Sequence, residues 1–176
     1  RLSHEEAMQA IYIKGRDNAR TPVQWDASAN AGFSPEGVTT WINVNPNYPA
    51  INAEAVLADE DSIFYHYQQL VALRRGELKD LMVYASFAPV DSLQVPHDQD
   101  EAVYAYTRTG GADGSPANES LLVISNFTAD ELERDFAVLN EARESGARVE
   151  LVSSNYKDDA GSTLRPYEAK VYHIVR

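Results

Sequence analysis

The first apolar positions that repeat with a helical period are Met8, Ile11 and Tyr12, and they follow Ser3 and Glu6, spaced as a capping box. This predicts a short scaffold helix over 4–13 that ends near Gly15. A second stripe, Ile63, Tyr67, Leu70 and Val71, predicts a stronger helix over 63–75, capped by Asp61 or Ser62 and closed by Arg74, Arg75 and Gly76. Such an amphipathic helix needs a large surface to dock on. Between the two, residues 16–57 carry Pro22, Pro35, Pro46 and Pro49 together with Asn30, Asn43, Asn45 and Asn47, and show no sustained period. Irregular segments longer than about 15 residues are uncommon in compact domains unless they line a site, so this length is itself a functional signal.

After Gly76 the pattern changes to short apolar runs divided by Gly, Asp, Asn and Pro. Strands are predicted over 81–88, 102–109, 121–127, 135–138, 148–153 and 169–175, with turns between them, notably at 110–116. That spacing predicts an antiparallel β-sandwich and a boundary near residue 77. The charged stretch 139–146 is compatible with a loop or one helical turn.

Fifteen Lys and Arg against twenty-seven Asp and Glu give a formal charge of −12. This argues against nucleic acid or an anionic membrane as partner. Cysteine is absent, which removes disulfides, thiolate metal sites and a cysteine nucleophile, and suits a cytoplasmic location. The N-terminus lacks the charged-then-apolar order of a signal peptide, and a start at Arg1 without Met reads as a fragment or a processed piece. His4, His66, His97 and His173 show no paired spacing for a metal, and Gly110-Gly111 opens no helix that would cradle a phosphate. No cofactor is expected.

The chemistry concentrates in Arg16-Asp17-Asn18-Ala19-Arg20-Thr21-Pro22-Val23-Gln24-Trp25-Asp26. Pro22 biases Thr21 towards extended backbone, so the polar heads are not committed to one helical face. Arg supplies a fork of donors, the carboxylates and amides supply acceptors, and Trp25 offers a flat apolar face, which together are what a sugar requires. Each residue also has a plainer reading. Asp17 would cap or pair with Arg20, and Asp26 would turn the chain before Ala27-Ser28-Ala29-Asn30. Either arginine could touch substrate or brace the loop, and Trp25 and Trp41 could anchor the loop in a core rather than stack on sugar. The aromatic run Phe64-Tyr65-His66-Tyr67 fits helix packing better than a binding face.

The run 16–26, then Asn30-Ala31-Gly32-Phe33 and Trp41-Ile42-Asn43-Val44-Asn45-Pro46-Asn47-Tyr48, resembles the signature of the oligo-1,6-glucosidase and dextran glucosidase group of the α-amylase superfamily, glycoside hydrolase family 13. The resemblance continues through Asp61-Ser62-Ile63-Phe64-Tyr65, Leu73-Arg74-Arg75, 121–128 and 164–169. It implies an α+β piece. Residues 1–76 would be the end of a catalytic (β/α)8 barrel, with a substrate-facing loop and last helix, and 77–176 a C-terminal antiparallel β-sandwich. It also implies a retaining α-glucosidase of short α-1,6-linked gluco-oligosaccharides whose catalytic carboxylates lie upstream. No catalytic residue is then expected in this chain, which by itself would be inactive. Arg16, with Arg20 as alternative, would hold the non-reducing terminal glucose, supported by Asp17, Asn18 and Trp25. Val23 departs from the Met common at its place, and 110–120 looks like an inserted hairpin tip. A trehalose- or sucrose-processing relative, or a separate carbohydrate-binding module, are the other readings.

Overall fold

The structure is a computed structural model that describes residues 2–111 and 118–176, without the side chains of Ile13, Lys14 and Asn18. Most of the expected tip at 110–120 therefore lies outside the described residues. The chain divides into two compact units, 1–67 and 68–176.

In the first unit, helix α1 (His4–Lys14) opens on the expected capping box. The Glu6 amide donates to Ser3 Oγ at 3.2 Å, and the Ser3 amide donates to Glu6 Oε2 at 2.7 Å. Two 3-10 turns follow, Arg16–Ala19 and Ala29–Gly32, and then a short helix α2 (Ala53–Ala58), inside the stretch expected to be irregular. Asn52 caps α2 by accepting from the Ala55 amide at 2.8 Å, a signal that an apolar-period search does not register. Among the described residues of this unit only Pro22, Ala31 and Asn52 are buried. Helix α3 (Ile63–Arg75) has the expected bounds, and the division between the units falls within it. Ser62 does not cap α3 through its side chain, since its buried hydroxyl has no hydrogen-bond partner.

The second unit is built on a five-stranded antiparallel sheet in the order β1-β2-β3-β7-β5, with β1 (Ser86–Pro89), β2 (Val103–Thr109), β3 (Glu119–Asn126), β5 (Arg148–Ser154) and β7 (Ala169–Val175). A two-stranded ribbon pairs β4 (Leu132–Glu133) with β6 (Thr163–Leu164). One face of the sheet sets Val103, Ala105, Leu122, Ile124, Tyr172 and Ile174 against Leu164 and against Phe136, Leu139 and Ala142 of helix α5 (Ala137–Glu144). On the other face, Leu121 packs with Leu78, Leu81 and Ala85 around helix α4 (Lys79–Val83).

Two predicted strands are corrected. Residues 81–83 belong to α4, where the Met82 amide donates to Leu78 O at 2.8 Å and Leu81 packs into the second cluster; the strand starts at Ser86. Residues 135–138 lead into α5 instead of forming a strand, and 139–146 is mostly helix, with Leu139 and Ala142 three apart on its buried side. Apolar runs this short do not carry enough period to separate strand from helix.

Beside the main core lies a buried polar network. Lys170 and Glu168 are fully buried, with Nζ 3.6 Å from Glu168 Oε1 and 3.3 Å from Asp159 Oδ1. Nζ also donates to Gly161 O and Thr163 O, each at 3.0 Å. Arg165 donates to Glu168 through its guanidinium at 2.7 Å and its amide at 2.8 Å, and its guanidinium lies 4.0 Å over the Tyr156 ring. Tyr172 OH donates to Asp159 at 2.8 Å.

Candidate functional site

The irregular segment of the first unit is held by its own polar groups. The Trp25 amide donates to Ala31 O at 2.8 Å, and Gln24 O and Trp25 O accept from the Ala53 and Glu54 amides at 2.9 and 3.0 Å. Gln24 Nε2 donates to Asn47 Oδ1 at 3.0 Å and to Ile51 O. Asn30 Nδ2 reaches Pro35 O at 3.0 Å and Val38 O at 2.9 Å. These bonds tie together positions up to about 30 residues apart and give the loop a defined shape without a hydrophobic core.

At its centre three successive residues, Asn30, Ala31 and Gly32, have left-handed backbone, with φ of 54°, 56° and 66°. Asn and Gly tolerate this region, but Ala31 does not adopt it readily, and such strain persists only where surroundings over-determine it. The Asp26 carboxylate supplies part of that determination. It accepts from the Ser28 hydroxyl and, at 2.8 Å, from the Ser28 amide. It also lies against the bare Cα of Gly32, where an added Cβ would meet Asp26 Oδ2 at 2.5 Å. The Ser28 hydroxyl, followed by its amide, holds the Asp26 carboxyl below its ordinary value. Gly32→Ala combines a left-handed penalty with this collision. It is expected to speed exchange of the Trp25 and Ala31 amides by roughly ten- to a hundredfold, about 1–3 kcal/mol, with the Leu122 and Tyr172 amides unchanged by NMR.

The site residues expected from sequence separate by role. Arg20 forms an ion pair with Asp17, and its amide donates to Asp17 O at 3.0 Å, so these two close the first 3-10 turn on each other. Arg16 is exposed and, among the described residues, has no ion-pair partner. Asn18 offers only its backbone position in that turn. Trp25 is 54% exposed and Trp41 is 99% exposed, so neither indole is the buried anchor that its size suggested. Pro22 is buried.

Sequence reading did not find a groove of about 510 Å³ beside Arg20, lined by Thr21, Pro22, Val23, Phe33, Ser34, Val38, Thr40, Trp41 and Ile42. Its lining is scattered over more than twenty positions, and the single available signal was the presence of Phe33 and Trp41 on either side of a Pro- and Gly-containing stretch. Elsewhere, His97 Nδ1 contacts Asp91 at 2.6 Å and His173 Nε2 contacts Glu119 at 2.8 Å. No group of three His, Cys, Asp or Glu among the described residues could hold a metal ion. No helix among them is long and apolar enough to cross a membrane.

Comparison with known proteins places these features. The family described as "Alpha amylase, catalytic domain" matches residues 2–84. The chain is 42% identical over 174 residues to an oligo-1,6-glucosidase of Bacillus cereus, covering 97% of this chain and 28% of that protein. It is 35% identical over 178 residues to the trehalose-6-phosphate hydrolase of Bacillus subtilis, covering 99% and 28%. The crystal structure of Bacillus licheniformis trehalose-6-phosphate hydrolase superposes with a TM-score of 0.76 at 37% identity, covering 97% of this chain and 28% of that one. Isomaltulose synthase of Klebsiella sp. LX3 superposes with a TM-score of 0.73 at 31% identity, covering 98% and 28%. The chain thus spans a little over a quarter of the length of these relatives.

Proposed function

Because this chain belongs to the α-amylase superfamily, we propose that it is the C-terminal part of a retaining α-glucosidase acting on short α-1,6-linked gluco-oligosaccharides. Residues 1–76 would complete the catalytic (β/α)8 barrel with its substrate-facing loop and last helix, and residues 77–176 would form the C-terminal β-sandwich domain. The match of the catalytic-domain family to residues 2–84 supports the division. So does the distribution of buried residues. The first 67 residues bury too little to offset the entropy of ordering them, as expected of a segment that docks on a larger body.

The observation that carries the proposal is the contrast between the two arginines. Arg20 is spent on Asp17, whereas Arg16 stands exposed at the start of the same turn, with no ion-pair partner among the described residues. In the intact enzyme Arg16 would donate to hydroxyls of the non-reducing terminal glucose. The Arg20–Asp17 pair, Asn18 and Trp25 would hold the turn that presents it. The attacking and protonating carboxylates would come from preceding barrel strands. Higher identity to the oligo-1,6-glucosidase than to the trehalose-6-phosphate hydrolase favours a neutral α-1,6 substrate.

A chimera tests this, with the chain replacing the matching stretch of the Bacillus cereus relative. Arg16→Ala should lower its kcat/KM for isomaltose by about 2–3 kcal/mol, the cost of a charged hydrogen bond, with unchanged Tm. Unchanged kinetics with a lower Tm would make Arg16 a brace.

A further inference from the structure

We infer that the uncovered end of one sheet face, around Tyr104 and Tyr106, is the docking surface for catalytic-domain residues that precede Arg1 in the intact protein. The inference rests on the proposed function and adds to it the surface on which that domain would sit. Cross-strand partners share a face, so the pairs Tyr106–Val123, Tyr104–Ser125, Val123–Val171 and Ser125–Ala169 set these side chains on the face that carries Leu121. Leu121, beside α4, is buried, whereas Val123 and Ser125 further along the same strand are only half-buried. Both β3 and β7 lie inside the sheet order, so this exposure is that of an open face and not of an edge. Phe87 and Tyr104 are about half exposed there, and the Tyr106 ring lies 5.1 Å from Phe87 and 5.7 Å from Tyr104.

Three features say what covers it. In a chain of net charge −12, this end of the face carries no charge at Phe87, Pro89, Tyr104, Tyr106, Val123 and Ser125. Aromatic side chains with charge depleted around them mark the centre of a protein interface. Next, Phe127 and Tyr167, just outside β3 and β7, are 67% and 62% exposed, with the Tyr167 amide donating to Thr128 O at 3.0 Å. Tyr167 has left-handed backbone, φ 54°, a region that Gly or Asn occupies at lower cost. Asn155 Nδ2 donates to Tyr167 O at 2.9 Å and Tyr156 OH donates to Pro166 O at 2.9 Å, which fixes the turn. Strain kept beneath an exposed ring points to a use for the ring. The third feature is continuity. The catalytic-domain family match runs to residue 84 and so includes α4, whose Leu81 and Met82 pack with Leu121 and Val171. One element matched to that domain thus already sits on this face, and the aromatic end continues the same surface.

Nitration by tetranitromethane tests the surface without substrate. In the chain 1–176, Tyr104 and Tyr167 should react as exposed tyrosines. In the Bacillus cereus chimera they should react at least about tenfold more slowly, read by peptide mass spectrometry, because a docked domain excludes solvent from them. Equal rates in the two folded proteins overturn the inference. So does protection already present in the chain and lost on dilution, which means a second copy, or protection of the chimera that appears only with isomaltotriose, which means a glycan surface. A paired substitution tests the energetics. Tyr104→Glu with Phe127→Glu should lower the Tm of the chimera by about 5 °C or more and leave that of the sheet unit in the chain within about 2 °C, since both side chains are exposed there. Equal shifts in the two proteins overturn it as well. Neither readout involves turnover, so a folded chimera inert towards isomaltose would count against the proposed function and leave this surface separately decided.

Discussion

Recombinant chain 1–176 is expected to show no turnover of a chromogenic α-glucoside. Retaining hydrolysis requires two carboxyl groups about 5–5.5 Å apart, one ionised for attack and one protonated to release the leaving group. The loop carboxylates are committed elsewhere, Asp17 to Arg20 and Asp26 to Ser28 beside Gly32. Among the described residues, the carboxyls displaced from their ordinary values, including Asp26, Asp100, Asp159 and Glu168, are displaced downward, the direction opposite to that of a general acid poised at neutral pH. The expected deficit is the whole catalytic contribution, on the order of 8–23 kcal/mol for enzymes in general. Hydrolysis above a heat-treated control, retained through purification, would contradict the upstream placement of the carboxylates.

The second large effect concerns the buried network of the sheet unit. Lys170→Met removes the cation that faces Glu168 and Asp159 and leaves Gly161 O and Thr163 O without their donor. Loss of one partner from a buried pair costs about 3–5 kcal/mol, so the unfolding midpoint of the sheet unit should fall by about 10–20 °C by calorimetry. An unchanged midpoint would mean that water or rearrangement replaces the network. Acid should probe the same groups. Burial pushes the Glu168 carboxyl up, but the Arg165 side-chain and backbone hydrogen bonds, with the Lys170 and Arg165 charges, outweigh it and hold the group below its ordinary value of 4.5. A carboxyl whose pKa is lower folded than unfolded contributes stability that is complete above the unfolded value. That contribution disappears as pH falls through the folded value, so stability should decline below about pH 4.5.

What was legible in the sequence followed from period and caps. Helices α1 and α3 combine a stripe with a cap or an end signal, and β2, β3, β5 and β7 alternate or run apolar over seven or eight residues, enough to fix their type. Helices α4 and α5 escaped because each is short and owes its form to tertiary partners, Leu81 to the Leu121 cluster and Leu139 and Ala142 to the main core, and α2 escaped because its sign is the Asn52 cap and not an apolar period. In the site, the Asp17–Arg20 pairing and the Asp26 turn were readable from local spacing. The left-handed run at 30–32 was not, because Ala31 gives no sign of φ near 56°, and the groove was not, because its walls come from separated stretches. The exposure of Trp25 and Trp41 runs against their size, and it agrees with a loop that faces a ligand or the rest of a catalytic domain.

The most direct test of the account is the product profile of the chimera with the Bacillus cereus oligo-1,6-glucosidase, followed by NMR on isomaltose and on trehalose 6-phosphate. The account predicts release of glucose from isomaltose as the α-anomer first, with trehalose 6-phosphate untouched. A folded chimera that is inert towards isomaltose, or that cleaves only the phosphorylated sugar, would contradict it.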